Sequence, residues 1–219
     1  MKTIIVNFKQ YHESTGRSAI SLISLLNHAI DFKGIETFFA VSLTDLLSAS
    51  EIYGDMVIAQ HVDGVDSGPY TGHVSYRTLL NMGVRKSLLN HSERKVKKEI
   101  IAKTAMLCDK AGVELILCAA DIDEVKMFSS LPVPFIAYEP PDLIGGNISV
   151  STANPDTIRD AAVVCDRADK ALLVGAGIKV PDDARKSVEL GASGILISSG
   201  VVLSREPGDA LSSLAKALL

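Results

Sequence analysis

The chain has 219 residues, of which 47% are hydrophobic and 22% charged, with a formal net charge of -4. That is enough apolar chain to close one sizeable core, and scattered lysines and arginines offer no basic stripe for a nucleic-acid backbone. No apolar run approaches the roughly 20 residues of a membrane span and no secretory leader is legible, so the expectation is a soluble, cytoplasmic protein.

In chain order, short apolar or β-branched runs at residues 3–7, 36–40, 56–60, 86–89, 114–118, 135–138, 171–174 and 194–197 read as eight buried parallel strands. Amphipathic stretches lie between them. Ser92 reads as the cap of a helix over residues 93–111, Asn154-Pro155 opens one running to residue 164, and Pro181 opens one ending at Leu190-Gly191. Unbroken βα alternation fits either a closed barrel or an open doubly wound sheet. Eight compact units in this length favour a closed eight-stranded parallel (β/α)8 barrel, with residues 1–219 forming a single domain. Cys108, Cys118 and Cys165 have no CxxC spacing and sit in or beside apolar runs, so buried free thiols are expected.

In such a barrel the residues just past the strand ends converge on one face. Asn7 and Lys9 follow the first strand, Asn90, His91 and Glu93 the fourth, and Glu139 the sixth, while the last two end in Gly175-Ala176-Gly177 and Ser198-Ser199-Gly200. A lysine, a histidine and a carboxylate facing two small-residue turns point to proton transfer on a small phosphorylated substrate. Taken alone, the Gly-Ala-Gly turn is equally a tight connection. Two such turns on adjacent strands, with glycines that permit close approach and a short helix opening at the serines, make a phosphate cradle the better reading.

The segments Val6-Asn7-Phe8-Lys9, Asn90-His91-Ser92-Glu93-Arg94 and Ala137-Tyr138-Glu139-Pro140, with Ile144-Gly145 following, resemble the triosephosphate isomerases in the right order along nearly the whole chain. The chain is short and is similar to the compact archaeal type, so the resemblance implies a TIM barrel. It further implies Glu139 as general base, His91 as a neutral imidazole kept so by a helix N-terminus, and Lys9 as electrostatic stabiliser, a base and imidazole pairing for which this family is itself a known example. Asn7, Ile144, Gly145, Gly177, Ser198 and Ser199 would bind substrate, Glu93 would hold Lys9, and residues 140–149 would form a lid. No cofactor is implied. Departures are Asn90 in place of the usual glycine, a lid reading Pro140-Pro141-Asp142 and ending Gly145-Gly146-Asn147, and Ser198-Ser199 in place of a glycine pair.

His12, His28, His61 and His73 show no ligand spacing, so no metal site is expected. Arg94, Lys95, Lys97 and Lys98 read as a solvated face. The loop over residues 61–72, with the tip Ser67-Gly68-Pro69-Tyr70-Thr71-Gly72, is long for a minimal fold. By resemblance it enters a partner subunit and brings Thr71 to the neighbour's site, which implies a homo-oligomer, a dimer or a tetramer built from dimers. Competing readings are another phosphosugar barrel, disfavoured by the joint presence of Lys9, His91 and Glu139, and a non-catalytic phosphometabolite sensor, which has no need of all three.

Overall fold

The computed structural model describes residues 1–30, 32–144 and 149–219. Eight strands, β1 (Lys2–Asn7), β2 (Ile35–Val41), β3 (Val57–Ala59), β4 (Lys86–Leu89), β5 (Glu114–Ala119), β6 (Phe135–Tyr138), β7 (Ala171–Val174) and β8 (Gly194–Ile197), close into a barrel in sequence order. Every neighbouring pair is parallel, and β8 returns to β1 with Thr3 opposite Gly194. There is no room for a side chain at Gly194, where a Cβ would stand 1.9 Å from the Thr3 carbonyl oxygen.

Alternation along each strand separates two cores. Ile5, Phe38, Ala40, Ile58, Leu88, Ile116, Cys118, Ala137, Leu173 and Leu196 fill the barrel. Their neighbours, among them Ile4, Val6, Phe39, Leu117, Ile136, Leu172 and Ile195, pack outward beneath the helices. The outer layer comprises helices Arg17–Ala29, Leu43–Tyr53, Tyr76–Asn81, Lys98–Ala111, Ile122–Ser129, Pro155–Arg167, Pro181–Glu189 and Pro207–Ala217. Their ends carry readable signals: Asp121 Oδ1 accepts the Glu124 N–H at 2.8 Å, Gly112 takes the left-handed C-cap, and Pro155, Pro181 and Pro207 stand at helix starts.

The strand expectations hold to within a residue or two, with β3 shortened because Met56 closes the 3-10 turn Gly54–Met56. The expected helix over residues 93–111 is corrected. Ser92–Arg94 is a separate 3-10 turn capped by His91, residues 95 and 97 are extended, and the helix proper is Lys98–Ala111. The reason is local: the Asn90 side chain accepts the Val96 N–H at 3.0 Å, and Glu124 takes the Lys95 ammonium at 2.9 Å, so both residues are engaged off the helix path.

All three cysteines are buried free thiols. Burial pushes the Cys108 thiol up to about 12 and Cys165 up to about 11, and Cys118 lies well above the usual thiol range, first through burial and then through the Glu139 carboxylate beside it. Since the thiolate is the nucleophile, an aromatic disulfide reagent at pH 8 should titrate no thiol in the native protein and three in denaturant. Fast labelling of one native thiol would contradict this burial.

Candidate functional site

The alternation that fills the barrel continues past the strand ends. Two residues beyond Ile5, Ile58, Leu88, Ala137, Leu173 and Leu196 stand Asn7, Gln60, Asn90, Glu139, Gly175 and Ser198, and of these Asn7, Gln60, Glu139 and Ser198 line clefts at the C-terminal mouth. A cleft there is lined by Lys9, His91, Glu139, Ile144, Ala176, Gly177, Ile178, Lys179, Leu196, Ile197, Ser198 and Ser199. An adjoining cleft shares Lys9 and His91 and is bounded by Asn7, Gln10, Tyr11, Gln60, His61, Glu93 and Arg94.

Lys9 sits on a left-handed backbone, φ 49°, a conformation that costs a non-glycine residue on the order of 1–3 kcal/mol and persists only where the surroundings enforce it. Here they do. Asn7 Oδ1 accepts the Lys9 N–H at 3.0 Å, and Gln60 Nε2 donates to the Lys9 carbonyl at 3.1 Å and to the Ala40 carbonyl at 3.1 Å. The Lys9 side chain is 12% exposed, and its ammonium meets Glu93 Oε1 at 2.7 Å.

Asn90 is also left-handed, φ 65°, a region asparagine tolerates better than most residues. The turn it makes delivers His91 to the cap of the 3-10 helix, where Nδ1 accepts the Glu93 N–H at 3.2 Å. An Nδ1 that accepts leaves the proton of a neutral ring on Nε2, and Nε2 faces Glu139 Oε2 at 3.7 Å.

Glu139 is 4% exposed. Its Oε2 is the one buried side-chain oxygen or nitrogen among the described residues without a hydrogen-bond partner, a costly state that calls for an occupant. The carboxylate lies where it does because residue 175 is glycine: a Cβ there would stand 2.6 Å from Glu139 Cγ and Oε1. At its backbone, Glu139 is held by the end of β5, its N–H donating to the Ala119 carbonyl at 2.8 Å.

Ser198 Oγ donates to the Asn7 carbonyl at 2.7 Å, and the single helical turn Ser199–Val202 opens on the cleft that Gly177 also lines. The first N–H groups of a helix have no intrahelical acceptor, so this rim is rich in donors. Pro141–Leu143 is a 3-10 turn ending at Ile144, and the far side is tied by the Val150 N–H to the Ala176 carbonyl at 3.2 Å. The expected contribution of Gly145 lies outside the described residues.

The structure thus gathers Lys9, His91, Glu139, Ile144, Gly177, Ser198 and Ser199 around one cleft and sets Asn7 and Glu93 beside it. Thr71 stands on the exposed tip of its loop and does not line its own chain's cleft. The sequence reading missed Gln60 and the dependence of Glu139 on Gly175, although Gln60 directly follows a strand and carries the same signal as Asn7. Among the described residues no group of histidine, cysteine and carboxylate side chains is placed to hold a metal ion, and no helix is long and apolar enough to cross a membrane.

A family model described as triosephosphate isomerase matches residues 2–216. The chain is 44% identical over 216 residues to the triosephosphate isomerase of Thermoplasma volcanium, covering 99% of this chain and 100% of that protein. It is 36% identical to the triosephosphate isomerase of Methanothermus fervidus over 96% of each chain, and 34% identical to that of Methanocaldococcus jannaschii over 97% of this chain and 98% of the other.

Proposed function

The chain belongs to the triosephosphate isomerase family, whose members are isomerases, and from that premise we propose that it interconverts dihydroxyacetone phosphate and D-glyceraldehyde 3-phosphate through an enediolate, serving glycolysis and gluconeogenesis in the cytoplasm as a single-domain enzyme without a cofactor. The observation that carries this reading is the buried, unpartnered Glu139 Oε2 set 3.7 Å from His91 Nε2, on a cleft that also holds Lys9.

Glu139 removes a proton from the carbon beside the carbonyl and returns it to the neighbouring carbon. One carboxylate serves both carbons because they are bonded to each other. Charge builds on the carbonyl oxygen as the C–H bond breaks. The Nε2–H of His91 protonates that oxygen, which ends as a hydroxyl. The proton of the neighbouring hydroxyl, which ends as the carbonyl, replaces the one the imidazole gives up, while the Lys9 ammonium stabilises the negative charge without giving up its proton. In the substrate-free state Glu93 occupies the ammonium. Backbone N–H groups of Gly177, Ser198 and Ser199 hold the phosphate, with Gly145 completing the grip from the lid, and Ile144 shields the reacting carbons. Shutting the site keeps water from an intermediate that would otherwise expel phosphate.

The second cleft supports a proposed assembly. The loop at its rim is pre-shaped: the Asp63 N–H donates to the Val74 carbonyl at 2.7 Å, Asp63 Oδ2 accepts the Val74 N–H at 2.7 Å, and Arg77 pairs with Asp66. Its tip nonetheless stands free of its own barrel, with Tyr70 43% exposed. In the proposed homo-oligomer, a dimer or a tetramer of dimers, this tip fills the partner's cleft beside Lys9 and Glu93 and brings Thr71 there.

The proton-transfer chemistry is tested by running the reaction in D2O. Product carrying even fractional deuterium on the carbon that gained hydrogen supports a carboxylate shuttle, which returns part of the abstracted hydrogen and exchanges the rest, whereas parent-like labelling and turnover by Glu139→Gln contradict the assignment of the shuttle to Glu139. A substitution beside the carboxylate probes the geometry. Gly175→Ala introduces a Cβ whose close neighbours belong to the Glu139 side chain, not to backbone, so the fold survives and the carboxylate is displaced. Steady-state kinetics should show kcat lowered by about 10- to 100-fold with an unchanged melting temperature.

A further inference from the structure

We propose that Glu124 is a positioning residue for the His91 turn, acting through Asn90 and Lys95; this rests on the function proposed above and deepens it. The residues that carry His91 and Glu93 hang on the mouth of the barrel between β4 and helix Lys98–Ala111. Little holds that turn to its own strand. Its first residue, Asn90, has a left-handed backbone, and the chain beyond it leaves β4 altogether.

What fixes the turn is a polar cluster on the neighbouring strand and helix. The Asn90 side chain is fully buried, donating from Nδ2 to the Cys118 carbonyl at 2.9 Å and accepting the Val96 N–H on Oδ1 at 3.0 Å. One side chain therefore grips both ends of the seven-residue stretch 90–96 and fastens it to β5. Nδ2 also approaches Glu124 Oε2 at 3.4 Å. That same oxygen accepts the Ala120 N–H at 2.8 Å and faces the Lys95 ammonium at 2.9 Å, with Oε1 at 3.0 Å from it. Glu124 is thus the common acceptor of three donors drawn from β4's turn and β5's end. Its own N–H is held by Asp121 at the helix cap, which fixes the first turn of Ile122–Ser129 as a rigid base.

None of Asn90, Lys95 and Glu124 lines either cleft, so the cluster touches no substrate. Its reach to the chemistry is geometric. Asn90 precedes His91 directly, and the carbonyl that Asn90 binds belongs to Cys118, whose next residue, Ala119, accepts the Glu139 N–H at 2.8 Å. The cluster therefore sets the 3.7 Å spacing between imidazole and carboxylate from both sides. A displacement of about 1 Å in such a pair costs catalysis on the order of 100-fold, while substrate affinity, carried by the phosphate rim, is little affected.

The test is steady-state conversion of glyceraldehyde 3-phosphate by the full chain, comparing parent, Glu124→Ala, Glu124→Gln and Asn90→Gly. Glu124→Ala should lower kcat by about 10-fold or more with KM within about 3-fold. Glu124→Gln keeps an acceptor oxygen and should recover most of the loss. Asn90→Gly keeps the left-handed backbone while deleting the side chain; it should reproduce the kcat defect, and it decides the matter if Glu124→Ala does not fold. Glu114→Gln breaks the Lys86–Glu114 pair, 2.8 Å, at the other end of the same two strands and should leave kcat unchanged. An active parent whose kcat stays within about 2-fold in both Glu124→Ala and Asn90→Gly overturns the inference. An inactive parent overturns the proposed function itself, a different and distinguishable result.

Discussion

Replacing Glu139 by glutamine is expected to lower kcat by about 100-fold to 10,000-fold, the usual loss on removing a positioned general base, with little change in KM. The amide has the volume of the carboxylate, so it fits the space that Gly175 leaves open. Stability should hold or rise, because the parent buries a carboxylate oxygen with no partner among the described residues and the amide removes that buried charge. Kinetics and a thermal melt on the same preparation separate the two effects. A variant retaining more than about a tenth of the parent kcat would remove Glu139 from the role of base.

The second large effect is expected at Lys9. Lys9→Met keeps the length and apolar stem of the side chain and deletes its charge, and should lower kcat/KM by about 100-fold to 1,000-fold, as for loss of a preorganised charge opposite a developing oxyanion. Lys9→Arg should rescue only part of this, since a planar guanidinium cannot reproduce a point charge in a slot shaped by the backbone bonds of Asn7 and Gln60. Glu93→Gln serves as the contrast. Glu93 is 54% exposed, so solvent screens its 2.7 Å pair with Lys9 and its loss should cost less than about 10-fold. Equal losses for Lys9→Met and Glu93→Gln would mean that the pair, not the lysine, is what the reaction needs.

Much of the barrel was legible because burial on both faces makes each strand a short uninterrupted apolar run, and such runs as Phe135–Tyr138 and Gly194–Ile197 are bounded by turn residues. Lys9, His91 and Glu139 were legible for a related reason. In a barrel packed solid with Ile, Leu and Phe, a polar residue at a strand end stands out. Illegible from spacing was anything depending on two distant segments meeting. Gly175 reads as a turn glycine until Glu139 is seen against it, and Glu124 reads as an ordinary first-turn acid until Asn90, Lys95 and Ala120 converge on it. The helix start after His91 failed likewise. Ser92-Glu93 has the look of a helix cap, but the imidazole itself takes the capping N–H and the cross-strand bonds of Asn90 and Glu124 hold residues 95–97 away from helical geometry.

The first experiment is the rate at which the purified chain converts glyceraldehyde 3-phosphate to dihydroxyacetone phosphate, read continuously through reduction of the product. Rapid turnover without added metal or cofactor is the predicted result. A folded protein that leaves the aldehyde phosphate unchanged would contradict the account at its centre, whatever the resemblance of its cleft.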